Sequence, residues 1–176
     1  TTELAEIVAK FYSGKTVMMF FSPYKPYNIN WRNVLVWNKG GHVGIGGDRE
    51  TCWKRDFELI GVKDNRPLNG FRDSAVLNFN AVLPPPSGHF AEKPVGLMAY
   101  LIRKLTNPGD TIIDPFMGSG STIVAAIQEG RNSIGIERDA EYFAIAQQRC
   151  LEATYQPSLF TPQPVQWEHV AMFGDD

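Results

Sequence analysis

Thr111-Ile112-Ile113-Asp114-Pro115-Phe116-Met117-Gly118-Ser119-Gly120-Ser121-Thr122 is the stretch that decides the fold. An apolar strand, Thr111-Ile112-Ile113, runs into a turn of small residues and then into a helix that starts near Ser121. Gly118 and Gly120 let the backbone bend sharply and approach a ligand with no Cβ in the way, while the first helical turn points free N–H groups at it. A second strand follows, Ser133-Ile134-Gly135-Ile136, and ends in Glu137. In α/β folds that bind nucleosides, an acid at that place grips the ribose hydroxyls.

Taken alone, a glycine-rich turn also serves merely to pack a helix closely on a strand, and Glu137 also reads as a solvated strand end. Two nucleotide classes are excluded. A P-loop needs a lysine before its hydroxyl residue, and Gly120 stands there. The dinucleotide fingerprint fails at its third glycine, where the chain has Ile123. The ligand that fits is a nucleoside without polyphosphate.

Three blocks together resemble a known family, the amino-group DNA methyltransferases that use S-adenosylmethionine, in the permuted order whose cofactor half follows its catalytic half. His89-Phe90-Ala91-Glu92-Lys93-Pro94 is similar to that family's H-P-x-x-K-P segment. Asp114 to Thr122 is similar to D-P-F-x-G-S-G-[ST]-T, and Gly135-Ile136-Glu137-Arg138 to its G-[IV]-E segment. More weakly, Val36-Trp37-Asn38-Lys39 resembles the family strand that ends in W-N-K.

The resemblance implies a Rossmann-like α/β methyltransferase fold, a mixed twisted sheet with helices on both faces. It implies S-adenosyl-L-methionine as cofactor, held by His89, Lys93, Asp114, Phe116, Gly118, Ser119, Gly120, Ser121, Thr122, Glu137 and Arg138. Asp114 and the loop backbone would hold the methionine end, and His89 and Lys93 would face its carboxylate. Phe116 would lie near the sulfonium, whose positive charge a ring face attracts by about 0.5–2 kcal/mol. Glu137 would accept from both ribose hydroxyls. Lys93 also reads as a surface cation.

Composition bounds this reading. A chain of 176 residues with 43 % hydrophobic content has room for one domain with a sizeable core. No apolar run approaches the roughly 20 residues that span a bilayer, so no membrane partner is expected. Cys52 and Cys150 are too few for a disulfide framework or a zinc site, and no metal is expected. The compartment expected is a reducing cytoplasm, of a bacterial or phage-encoded protein.

The formal net charge of −2 advertises no nucleic acid, so DNA contacts must be local. Between Lys15 and Asp73 stand ten Lys and Arg against six Asp and Glu. Within that region the glycine-rich stretch Lys39 to Arg49, with Trp53, Lys54 and Arg55 behind it, is suited to reach phosphates and stack on an extruded base. Lys39, His42, Arg49, Lys54 and Arg55 are the candidate DNA contacts. A plain solvated hairpin loop fits the same residues.

The remaining expectations are coarser. Residues Thr2 to Tyr12 read as a helix with Leu4, Ile7, Val8 and Phe11 on one face; strands are expected at Thr16–Phe21, Asn33–Asn38 and Phe57–Val62. Lys93 and Pro94 open an amphipathic helix, Val95 to Leu105. The last helix, Ala140 to Ala153, carries Tyr142, Phe143, Ile145, Ala146 and Arg149 at helical spacing, a stripe that reads as core. One domain is expected over 1–154, with a catalytic half over 1–63, a turn-rich recognition or connector region over 64–88 and a cofactor half over 89–154. A tail from Tyr155 follows, in which Gln156-Pro157-Ser158-Leu159-Phe160 resembles a sliding-clamp docking peptide.

The family's catalytic motif, [D/N/S]-P-P-[Y/F], occurs nowhere in the 176 residues. Ser22-Pro23-Tyr24 follows an apolar strand but lacks the second proline, and is the weak substitute. The motif-bearing strand of the resembling family is central in the sheet, so its absence predicts two unpaired edges and a start inside a longer protein. Two function classes therefore stay open. One is a methyltransferase acting on an exocyclic amine of DNA, adenine N6 preferred; the other is a catalytically silent cofactor-binding module or partner subunit.

Overall fold

The computed structural model describes residues 15–23, 28–40, 56–64, 66–85, 87–88 and 91–155. Its elements in chain order are β1 (Val17–Phe21), β2 (Asn33–Asn38), β3 (Phe57–Lys63), β4 (Val76–Asn78), α1 (Val95–Leu105), β5 (Thr111–Asp114), α2 (Ser121–Gln128), β6 (Asn132–Gly135) and α3 (Ala140–Tyr155). Helix α1 has the bounds its apolar periodicity predicts, and β2 those read from the sequence. Strand β6 sits one residue earlier than expected. The helix expected at Thr2–Tyr12 lies outside the described residues.

The strands form two sheets. One is four-stranded in the order β1-β3-β2-β4, and the other pairs β5 with β6. Strand β3 is antiparallel to both β1 and β2, whereas β4 runs parallel to β2 and β6 parallel to β5. This is a mixed α/β architecture. Among the described residues no strand pairs with the outer edge of β1 or with the second edge of β5.

Helix α1 connects the two sheets. Leu97 and Leu101 pack with Trp37, Ile60, Val62 and Leu77 of the larger sheet. The neighbouring stripe, Met98, Ala99 and Ile102, meets Ala125 and Ala126 of α2, with Met18 and Phe20 of β1 and Ile112 of β5 against them. Fully burying one such side chain stabilises by about 1.5–3 kcal/mol, so this helix carries much of the core. The C-terminal ends of β1 and β5 thereby come to the same end of α1.

The other end of α1 is capped from a distance. Asn69 Nδ2 donates to the carbonyls of Arg103 and Thr106 at 3.0 and 2.7 Å, and Arg66 Nη2 donates to that of Leu105 at 3.0 Å. These donors satisfy carbonyls that a helix end leaves open. Residues 66–73 are thus tied to the helix end about 16 Å from Lys93, given 1.5 Å of rise per residue.

Gly61 shows why β3 needs a glycine. A Cβ there would lie 2.4 Å from the Trp31 ring, which stacks on Phe21 with centroids 5.9 Å apart. The indole lies directly on the strand backbone. Gly61→Ala is expected to lower stability by about 1–3 kcal/mol, the usual cost of overpacking. Urea denaturation checks it; a change below about 0.5 kcal/mol would mean the indole moves aside freely.

Candidate functional site

The turn after β5 is built by local hydrogen bonds. Asp114 Oδ1 accepts the Phe116 N–H at 3.0 Å, the Gly120 N–H donates to the Met117 carbonyl at 2.8 Å, and the Met117 N–H donates to the Ile136 carbonyl at 3.0 Å. The last of these ties the turn to the segment that leaves β6. Gly118 and Gly120 have φ of 52° and 81°, left-handed values that disfavour any Cβ. Gly120 also meets α3, because a Cβ there would stand 2.9 Å from Ala146 Cβ and 3.2 Å from Ala146 Cα.

Glu137 arrives at the same place from the neighbouring strand. Its Oε2 accepts the Gly118 N–H at 2.9 Å and its Oε1 accepts the Asp139 N–H at 2.9 Å. An ionised carboxylate offers about four lone-pair sites, so each oxygen keeps acceptor capacity for a further donor. The Asp139 carboxylate accepts the N–H groups of Glu141 and Tyr142 at 3.0 and 3.1 Å and so caps α3. Arg138 is exposed.

Phe116 is 57 % exposed, so its ring is open to a ligand. Ser119 and Ser121 are buried, and the Ser121 hydroxyl, at the start of α2, has no hydrogen-bond partner within the described chain. A buried orphan hydroxyl at a helix N-terminus is unfavourable unless a ligand or solvent reaches it.

Lys93 stands in a cluster of charges and aromatic rings. Its Nζ lies 3.6 Å from Glu58 Oε2, which Lys39 Nζ also approaches at 3.1 Å. Lys93 stands 5.1 Å over the Phe20 ring, and Lys39 5.0 Å over Trp37. Both lysines are thus committed to one carboxylate and two aromatic faces. Lys39, expected among the DNA contacts, belongs to the same cluster. Desolvation pushes the Lys93 ammonium below the usual lysine range, against the pull of Glu58, with Lys39 lowering it further and Asp114 raising it.

That depression has a signed consequence. The folded chain holds the Lys93 proton less tightly than the unfolded one, so this group's contribution to stability rises with pH from the depressed value up to the ordinary 10.5. Tyr100 acts in the opposite sense, since burial and its hydrogen bond to Asp73 push the phenol up from 10.0 to about 12 and its contribution falls across that window. In a Tyr100→Phe background, Lys93→Met is expected to flatten the alkaline rise. Urea midpoints from neutral pH to 10.5 check this, and an unchanged slope would refute it.

Several expected site residues lie outside the described ones: Tyr24, His42, Arg49, Lys54, Arg55, His89 and the Gln156–Phe160 segment. Ser22 and Pro23 follow β1 directly. The stripe expected to make the α3 core holds at Ala146 and is corrected at Phe143 and Arg149. The buried residues of α3 are Ala146, Cys150 and Ala153, and Phe143 is 40 % exposed. Small residues face inward because the helix packs closely on the turn at Gly120. Arg149, read as part of that core stripe, is a polar contact: it donates to the Ser119 carbonyl at 2.7 Å and to Glu92 Oε1 at 2.9 Å.

A DNA methylase family model matches residues 12–148. The chain belongs to this family, the amino-group methyltransferases of DNA. It is 40 % identical over 131 residues to the type II methyltransferase M.Cfr9I of Citrobacter freundii, covering 67 % of this chain and 43 % of that one. It is 50 % identical over 58 residues to the type II methyltransferase M.BglI of Bacillus subtilis, covering 33 % of this chain and 17 % of that one. The chain thus spans less than half the length of these curated relatives.

Among solved structures, the M1.HpyAVI–SAM complex superimposes with a TM-score of 0.65 at 25 % identity, covering 84 % of this chain and 81 % of that chain. The cytosine-N4-specific PvuII DNA methyltransferase matches with a TM-score of 0.54 at 18 % identity over 73 % of this chain and 52 % of that one, a likeness of fold alone. The fold is therefore the Rossmann-like fold of these methyltransferases.

Proposed function

We propose that this chain binds S-adenosylmethionine at the β5–α2 turn and transfers its methyl group to an exocyclic amine of a DNA base. The observation that supports this most directly is the Glu137 carboxylate 2.9 Å from the Gly118 N–H, an acid and a donor-rich turn brought together from adjacent strands. The residues fit the cofactor: left-handed glycines admit it closely, the Ser121 hydroxyl has no partner among the described residues, and Phe116 offers an open ring. When bound, S-adenosylmethionine supplies an electrophilic methyl on a sulfonium. Asp114, Phe116, the 118–122 backbone and Glu137 orient it; Lys93 with Glu58 closes the end of α1 beside it.

An exocyclic amine is a poor nucleophile because its lone pair is delocalised into the ring, so positioning carries much of the rate. Adenine N6 is the assignment that the family resemblance favours over cytosine N4. Incubating the full chain with methyl-tritiated cofactor and unmethylated DNA tests transfer, and nucleoside analysis is expected to return N6-methyladenine. Label in N4-methylcytosine would overturn the base assignment. Saturable binding of the cofactor with no label in DNA would favour a second reading, a cofactor-binding module without catalysis, which the missing [D/N/S]-P-P-[Y/F] motif motivates.

A further inference from the structure

We infer that Arg149 and Glu92 are positioning residues that hold the 118–122 turn in its ligand-binding shape. The inference rests on the proposed role of that turn. Glu92 has a side chain only 4 % exposed, and it is stabilised by two donors: the Ser87 hydroxyl, and Arg149 Nη2 at 2.9 Å. Arg149 then uses Nη1 to reach the Ser119 carbonyl at 2.7 Å, inside the turn, where Ser119 is 2 % exposed. One guanidinium thus joins three parts of the chain: the segment before α1, the turn before α2, and α3.

Its chemistry suits that task. A planar fork with several N–H donors can serve a carboxylate and a carbonyl at once, which a lysine ammonium does less well. The Ser119 carbonyl is the peptide oxygen between the two left-handed glycines, so fixing it fixes the direction of the adjacent N–H groups. Ala146, one helical turn before Arg149 on the same face of α3, closes on Gly120. Packing and hydrogen bonding therefore act on one loop from one helix face. A buried Glu92 without Arg149 would be an uncompensated charge, so the pair must be present together.

The test uses the full chain and three variants. Arg149→Met keeps the aliphatic stem and removes both donors. It is expected to speed amide exchange at Gly118 and Gly120 about tenfold and to weaken S-adenosylhomocysteine binding about tenfold, the scale of one lost charged hydrogen bond. Amides of Leu101 and Ile102 in α1 serve as the internal reference for global stability. Arg149→Lys is expected to recover the melting temperature more fully than the affinity. Turn exchange unchanged relative to α1, or affinity within twofold of the parent, would overturn the inference. Should Arg149→Met fail to fold, the isosteric Glu92→Gln replaces it, with faster turn exchange expected and unchanged exchange refuting. If the parent chain binds no S-adenosylhomocysteine, the cofactor reading fails, while the exchange comparison still decides the brace.

Discussion

Gly120→Ala is expected to destabilise the chain by about 2–4 kcal/mol and to remove measurable S-adenosylhomocysteine binding. Two costs combine. Holding an alanine at φ of 81° costs about 1–2 kcal/mol. The new methyl also stands 2.9 Å from Ala146 Cβ and 3.2 Å from its Cα, and a backbone atom cannot swing away as a side-chain tip does. Either α3 retreats or the turn does, and a turn displaced by even about 1 Å loses its alignment with a ligand. Gly130→Ala separates the two costs: its φ of 68° carries the same kind of strain, but nothing lies within 4 Å of the added methyl. It should cost about 1–2 kcal/mol and leave binding intact. Adding Ala146→Gly to Gly120→Ala removes the Cβ contact and leaves the Cα one, so it should return only a fraction of the packing cost, offset by about 1 kcal/mol for a glycine inside α3. Equal losses for Gly120→Ala and Gly130→Ala in guanidinium melts would show that α3 does not press on the turn.

The same packing explains what the sequence made readable. The strand, turn and helix from Thr111 to Gln128 are encoded within some twenty residues, and short-range signals of glycine and apolar period suffice for such a unit. Glu137 was legible because a βαβ crossover returns the next parallel strand beside the first, so its end must approach the same turn. Helix α1 was legible from Leu97, Met98, Leu101, Ile102 and Leu105, which lie on one side of a 3.6-residue period. Strand β4 was not. It has three residues, and it exists because β2 offers an edge and because Trp37 Nε1 donates to the Phe79 carbonyl at 2.7 Å just beyond it.

Polar partners distant in sequence were equally hidden. Arg149 and Glu92 are separated by 57 positions, and no periodicity links them. Glu58 carries no motif, yet it organises Lys39 and Lys93 around Trp37 and Phe20. In α3 the buried stripe runs from Ala146, which the sequence pattern includes, through Cys150 to Ala153, while the bulky Phe143 is exposed. Helices that pack closely bury alanine and cysteine instead, and Cys150 accordingly has its thiol pushed up to about 11 by burial.

Glu137→Gln is the second substitution of large expected effect, and it acts on binding far more than on stability. The carboxylate uses one oxygen for the Gly118 N–H and the other for the Asp139 N–H. An amide keeps the shape but turns one acceptor into a donor, which then faces an N–H. It also discards the charge that strengthens each remaining bond. Affinity for S-adenosylhomocysteine should fall by about 2–3 kcal/mol, roughly a hundredfold. Asp139→Asn, which retains a capping oxygen for α3, should leave that affinity nearly unchanged. The decisive comparison pairs the variant with a ligand lacking the ribose 2′-hydroxyl. If Glu137 accepts from ribose, parent and variant should bind the deoxy ligand with closer affinities than they bind the ribo ligand, because part of the interaction is already gone. Equal penalties for both ligands would place the effect in the turn itself, where Glu137 would then act by holding Gly118 and not by touching sugar.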